Sequence, residues 1–327
     1  MVCNYRQGVG GISGQVDLTV RHLLAEGHDA DIFSTKGTLF WRLGLLYRLH
    51  RVAKGYDVLH VHCCSGWGFL PAVVGITIGR RLKKRTVLTY HGGGAESFFE
   101  RHRRFVERYL SRTDENIVLS GFLDMVFNKY NIRHTVIPNI VELDENQFRL
   151  RKEICPHYIC TRAHEELYNI PCILRAFGKV RSQLPDATLT LVGDGSIHDA
   201  LVRQAPHGVV FTGRVPNDEI YRQLDLADIM LSAPRVDNMP VSLLEAMNAG
   251  LLVVSSCVGG VPYMIADGQT GLLFESDDSD QLATLMLRAV QHQDESLNII
   301  EQAHKAVNAY RWESVRTKVY TAYGILS

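Results

Sequence analysis

The stretch Asp228-Ile229-Met230-Leu231-Ser232-Ala233-Pro234, continued by Asp237-Asn238-Met239-Pro240 and by residues 241–249 up to Gly250, decides the fold. Its first part is an apolar run that reads as a strand buried on both faces. Pro240 suits a first helical turn and Gly250 suits the stop. Residues 251–256 follow at once as a second apolar strand, so the whole segment is a strand–helix–strand unit of a parallel sheet. Asp237 stands at the mouth of the helix, and Glu245 lies two turns on, between Leu244 and Met247. An acid among apolar neighbours is costly unless it is hydrogen-bonded. The diol of a nucleotide ribose is a suitable partner, because one carboxylate can accept both hydroxyls. The loop Asn238-Met239-Pro240 and the helix start at Val241 offer free amides to phosphate or sugar oxygens.

The same alternation runs outward in both directions. Strands are expected at 29–34, 57–62, 86–91, 116–120 and 135–138, then at 158–161, 188–192, 209–212, 229–233 and 251–256, with helix-length stretches between them. Such alternation predicts an α/β protein with two Rossmann-like, doubly wound parallel sheets facing a cleft. The 327 residues suit two domains, and 46% hydrophobic with 21% charged residues implies packed globular structure. Residues 1–145 carry 19 Lys/Arg against 14 Asp/Glu, and residues 146–327 carry 16 against 21, which places a boundary near 145. The expected division is 1–145, 146–310, and a terminal helix at 311–327. Only Met1–Tyr5 precedes the first glycine cluster, so the first strand is either clipped or cut short by the start of the chain.

Net charge is zero, which argues against a dedicated nucleic-acid binder. No apolar run approaches the ~20 residues of a bilayer span, and Met1–Gly11 has no signal-peptide core. Seven cysteines without a repeat spacing suit a reducing cytosol. A zinc set of Cys155, His157, Cys160 and His164 lacks close Cys pairing, so buried thiols are the favoured reading and no metal is expected.

Ligands of doubly wound sheets sit beyond the carboxyl ends of strands. Four clusters occupy such positions. Gly8, Gly10, Gly11 and Gly14 precede a helix and suit a phosphate, or form an ordinary flexible loop. His91 ends a strand and opens Gly92-Gly93-Gly94; it either meets a ligand or caps the strand, and His60 and His62 share one face of the preceding strand, with at least one of them expected at the surface. Arg162 follows the strand at 158–161 and can meet phosphate bidentately. Gly193-Asp194-Gly195 ends the next strand and admits a base or a phosphate. Asp277, Asp278 and Asp280 precede an apolar-periodic helix and read as helix-start carboxylates.

Taken together, these segments resemble the retaining, nucleotide-sugar-dependent glycosyltransferases of the GT-B fold, specifically glycosyltransferase family 4. The resemblance covers nearly the whole chain. Gly10-Gly11 is similar to the family's donor-phosphate loop, Thr89-Tyr90-His91 to the segment whose histidine lies near the donor sugar, and Val192-Gly193-Asp194-Gly195 to its second glycine turn. Two acids eight positions apart, Asp237 and Glu245, with Val258-Gly259-Gly260-Val261-Pro262 beyond, resemble its most specific signature. Trp312 resembles the start of a terminal helix that returns to the first domain. The resemblance implies that Glu245 holds the ribose, that Asp237 and its loop hold the donor sugar, and that Arg162 neutralises the diphosphate leaving group. Two departures stand out: the first acid is Asp rather than Glu, and Tyr168 stands where the family has a lysine.

The expected activity is hexosyl transfer from a nucleotide-diphosphate sugar to a glycan or lipid-linked acceptor, with retained configuration and without a cofactor, in surface polysaccharide or glycolipid synthesis. The basic first domain is expected to bind the acceptor. Leu39, Phe40, Trp41 and Arg42 through Leu45, Leu46, Arg48, Leu49 and Arg51 form a basic amphipathic segment. It is either a solvated face or a contact with an anionic membrane, placing the protein in the cytoplasm or peripherally on the inner membrane face. Two alternatives share the fold: a non-catalytic nucleotide- or glycan-binding protein, suggested by Tyr168, and a nucleotide-sugar epimerase.

Overall fold

The structure, a computed structural model, describes residues 1–6, 11–37, 44–142 and 148–325. Gly8 and Gly10 of the first glycine cluster, Leu39 to Arg42 of the basic segment and the 145/146 boundary lie outside the described residues. By internal contacts the chain falls into two compact units, Met1–Glu142 with Tyr310–Ser327, and Leu143–Ala309.

The first unit runs β1 (Val2–Cys3), α1 (Ile12–Ala25), β2 (Phe33–Ser34), α2 (Leu45–Ala53), β3 (Val58–Cys63), α3 (Leu70–Leu82), β4 (Arg85–Tyr90), α4 (Ala95–Leu110), β5 (Glu115–Val118), α5 (Gly121–Lys129) and β6 (Thr135–Val136). All pairs are parallel, in the order β2-β1-β3-β4-β5-β6. The order reverses between β1 and β3, which is where such a sheet opens a crevice. One face of the sheet is packed by Phe69, Ile76, Leu88, Tyr90, Phe99 and Phe127.

The second unit runs β7 (His157–Cys160), α6 (Ile170–Arg181), β8 (Thr188–Val192), α7 (His198–Gln204), β9 (Val209–Gly213), α8 (Asn217–Asp225), β10 (Ile229–Ser232), α9 (Val241–Asn248), β11 (Leu252–Ser256), β12 (Leu272–Phe274), α10 (Ser279–Gln291) and α11 (Gln293–Ala306). Its order is β12-β11-β10-β7-β8-β9, again all parallel. This is the dinucleotide-fold order, and its switch point lies between β7 and β10. The apolar runs are buried as expected: Ile229 and Leu231 of β10 and Leu252 and Val254 of β11 are closed off from water.

The terminal helix α12 (Trp312–Tyr323) belongs to the first unit. Trp312, Val315, Val319 and Tyr323 cover the other sheet face against Val87, Ile117 and Ile137. Trp312 Nε1 donates to Glu26 at 2.7 Å, its ring stacks on His22, and the Tyr320 hydroxyl donates to the same Glu26 carboxylate. Asp278 caps α10 by accepting from the amides of Asp280 and Gln281, so this acid does begin a helix. Among the described residues no helix is long and apolar enough to cross a membrane.

Candidate active site

In the second unit, the switch point puts the loop after β7 beside the loop after β10. Arg162 comes from the first and Asp237 from the second, 75 residues away in sequence. The Arg162 Nη2 atom donates to Asp237 Oδ2, and Nη1 donates to Ser242 Oγ at 3.2 Å. The guanidinium lies 4.1 Å over the Tyr168 ring, a cation–π contact. Its side chain is only 10% exposed, and Nε is buried with no partner among the described residues. In the unliganded protein the charges of Arg162 and Asp237 neutralise each other. Tyr168, in place of a second cation, supplies the surface on which Arg162 rests.

The Asp237 loop is braced from behind. Asp237 Oδ1 accepts from the Asn238 amide at 2.8 Å, and its carbonyl accepts from the Gly260 amide at 3.2 Å. Asn238 and Met239 are buried. Pro240 is the N-cap of α9 rather than part of its first turn, and no side chain caps the helix, leaving the start at Val241 open to an acceptor. Glu245 projects from α9 half-buried, with protein packed closely around its carboxyl. Burial pushes its pKa up to about 7, and the charge of Arg162 pulls weakly the other way. Among the described residues, none hydrogen-bonds its carboxylate.

Gly193, at φ +144°, follows β8, and a Cβ there would lie 2.3 Å from the Arg162 carbonyl oxygen. Only glycine lets these backbones touch. Asp194 lies beside it; its carbonyl accepts from the His164 amide at 3.1 Å and its side chain from the Gly195 amide at 2.8 Å. Gly193→Ala should therefore displace the Arg162 loop and destabilise the unit by about 3 kcal/mol. Thermal melting beside Gly213→Ala, where a Cβ meets nothing within 4 Å, checks this; equal losses would show that φ, not the contact, sets the cost.

Sequence reasoning missed Ser242 and the brace formed by Arg235, Asn169 and Asp277, in which Arg235 Nη2 donates to Asp277 Oδ1 at 2.9 Å and to Asn169 Oδ1 at 3.1 Å. The imagined zinc set does not assemble: His164 Nδ1 faces His198 Nδ1 at 2.8 Å, and Cys160 is a buried strand thiol. Cys155, His157 and Asp228 do approach one another, but Asp228 is held by Arg149 at 2.6 Å and Arg151 at 2.9 Å.

In the first unit, Gly11 (φ +67°) opens α1 after β1, at that sheet's own switch point. His91 follows β4, and its Nε2 lies 3.0 Å from His62 Nδ1. Both His60 and His62 are buried, at 7% and 4% exposure, which corrects the expectation that one lies at the surface. Helix α12 covers them: His60 is hydrogen-bonded to the Tyr323 hydroxyl and to Thr89 Oγ1, each at 2.7 Å.

Comparison with known proteins identifies this architecture. The profile described as "Glycosyltransferase Family 4" matches residues 9–145, and that described as "Glycosyl transferases group 1" matches residues 157–292. The chain belongs to this family of glycosyltransferases. The N-acetyl-alpha-D-glucosaminyl L-malate synthase of Bacillus anthracis is 24% identical over 305 residues, covering 86% of this chain and 78% of that protein. The sulfoquinovosyl transferase of Arabidopsis thaliana is 30% identical over 151 residues, which are 45% of this chain and 29% of that one. The chain thus spans under a third of the plant relative. The Anabaena protein HepE, solved with UDP-glucose, superposes with a TM-score of 0.78 at 16% identity, covering 99% of both chains. The fold of this glycosyltransferase is that of the GT-B enzymes.

Proposed function

We propose that the protein is a retaining hexosyltransferase that moves a sugar from a nucleotide-diphosphate sugar to a glycan or lipid-linked acceptor, in surface polysaccharide or glycolipid synthesis. The observation that carries this reading is the convergence at one switch point of Arg162, the Asp237 loop, the uncapped start of α9 and the half-buried carboxyl of Glu245. Glu245 takes the ribose, Arg162 meets the diphosphate as it leaves, and Asp237 with Asn238 and Met239 orients the sugar. The glycine turn of Gly193 and Asp194 stands beside the phosphates. In the first unit, Gly11 serves a phosphate and His91 a sugar hydroxyl, and the acceptor binds there. Catalysis then comes from positioning and from charge stabilisation on the leaving diphosphate. The positive charge is supplied by Arg162 and helix amides, so the reaction needs no metal or cofactor.

The names of two relatives, a sulfoquinovosyl transferase and an N-acetyl-glucosaminyl L-malate synthase, support a sugar as the transferred group. The outward side of α2 carries exposed Leu46, Tyr47 and Val52 with Arg51, which supports peripheral contact with the inner face of a membrane. A non-catalytic binding role has one specific observation in its favour: Tyr168 replaces a cation, and Arg162 is already paired. Thermal-shift screening of nucleoside diphosphates and their sugars, followed by NMR of the product's anomeric centre, tests the proposal. Stabilisation by one nucleotide, with an axial-to-axial or equatorial-to-equatorial outcome, is expected. Inversion would remove the retaining mechanism, and binding without turnover on any acceptor would favour the non-catalytic role.

A further inference from the structure

His62 and His91 share a hydrogen bond that has a direction. With Nδ1 of His62 3.0 Å from Nε2 of His91, one nitrogen must carry the proton and the other must accept it. A neutral imidazole has only one N–H, so choosing the donor fixes both rings. If His91 donates, His62 must hold its own proton on Nε2. That atom is buried and has no hydrogen-bond partner among the described residues. A buried donor or acceptor without a partner costs roughly 1–3 kcal/mol, and along the backbone orphaned N–H groups are rarer than under-satisfied carbonyls. If His62 donates instead, its Nε2 is a bare lone pair, by the backbone pattern the more readily tolerated orphan. His91 then accepts at Nε2 and carries its proton on Nδ1.

The surroundings hold this arrangement in place. His60 and His62 alternate along β3 and share a face, their ring centroids 4.1 Å apart. His60 is fixed on both nitrogens by Thr89 and Tyr323, so the His62 ring packs against a ring that cannot turn freely. Burial also lowers the pKa of both members of the pair: His91 falls to about 3 and His62 well below its ordinary value. Both rings are therefore neutral at physiological pH, as the one-proton argument requires. The Nδ1 atom of His91 has no partner among the described residues and belongs to a residue that is part-exposed.

We propose that His62 is a positioning residue that locks His91 in its Nδ1–H form, so that His91 offers a sugar hydroxyl a fixed hydrogen-bond donor and cannot act as a general base. The assignment of the recipient as a sugar rests on the function proposed above; the lock itself does not. Long-range proton–nitrogen NMR of the histidine rings in the full-length protein, with His91 assigned by H91Q, reads the tautomer directly. Wild-type protein should show the His91 proton on Nδ1. H62L removes the donor and should release His91 to the Nε2–H form or a mixture, lowering kcat by about one to two orders of magnitude, as loss of one hydrogen bond to a group that gains charge does. H62N places an amide near the position of imidazole Nδ1 and should restore both the tautomer and most of kcat. A wild-type His91 protonated on Nε2 would overturn the proposal, as would an H62L protein that keeps the Nδ1–H form and full turnover. An Nδ1–H signal in a wild-type protein that transfers no sugar would instead count against the enzymatic reading and leave the lock standing.

Discussion

Glu245→Ala should weaken nucleoside diphosphate binding about a hundredfold, while Glu301→Ala, an exposed acid on α11, should leave it unchanged. The size follows from two hydrogen bonds to a charged acceptor at the low end of their range, roughly 1.5 kcal/mol each, together about two orders of magnitude. A second and more specific signature comes from the proton. Burial raises Glu245 to about 7, so near pH 7 its carboxyl is about half protonated before ligand arrives. A ribose diol donates both hydroxyls and needs the ionised form. Binding at pH 7 should then release about half a proton. Calorimetric titration in buffers of different ionisation enthalpy measures this, and Glu245→Gln should release none. If wild type and Glu245→Gln release the same number, the ribose role is lost. The same shift acts on stability. Because the folded-state pKa lies above the ordinary 4.5, the unfolded chain holds fewer protons between those values, and stability falls as pH rises from about 4.5 to 7. This loss amounts to about 3 kcal/mol. Glu245→Gln should flatten that part of the unliganded profile.

Periodicity made the alternation of strands and helices legible, because strands buried on both faces must be apolar. The ends were less so. The strand expected at 29–34 shrinks to Phe33–Ser34, since the stretch carries Asp29 and Asp31, and the two residues of β1 leave little for it to pair with. The edge strand Leu272–Phe274 is too short to show a period at all. The candidate site was legible residue by residue but not as a set. Nothing in the local sequence says that β7 neighbours β10, and this adjacency alone brings Arg162 to Asp237. Alternation did place His60 and His62 on one face. Their burial depended on α12, whose Tyr323 comes from 263 residues further along the chain.

Pairing of Arg162 with Asp237 sets up opposite effects on binding and on turnover. The unliganded guanidinium is neutralised by the Asp237 carboxylate and held by Ser242 and Tyr168. A diphosphate must compete with that carboxylate for the same fork of donors. Asp237→Asn removes the competing charge and nearly preserves shape. Affinity for the free nucleoside diphosphate should rise about tenfold, equivalent to ~1.4 kcal/mol. Turnover should fall, because the carboxylate proposed to orient the sugar is gone; losing one such preorganised group costs about two to three orders of magnitude in kcat. Arg162→Ala should act differently. It leaves Asp237 charged, mostly buried and unpaired, so stability drops along with kcat. Combining Arg162→Ala with Asp237→Asn removes that lone charge and should recover stability without recovering kcat. Arg162→Lys keeps the charge but loses the planar fork and the stack on Tyr168, so it should rescue only part of the rate. Calorimetry with the diphosphate and steady-state kinetics with the intact donor separate these terms. Tighter diphosphate binding with slower transfer in Asp237→Asn is the expected pattern. Weaker binding there would mean that Asp237 does not restrain Arg162, and the guanidinium would no longer be the group that meets the leaving phosphates.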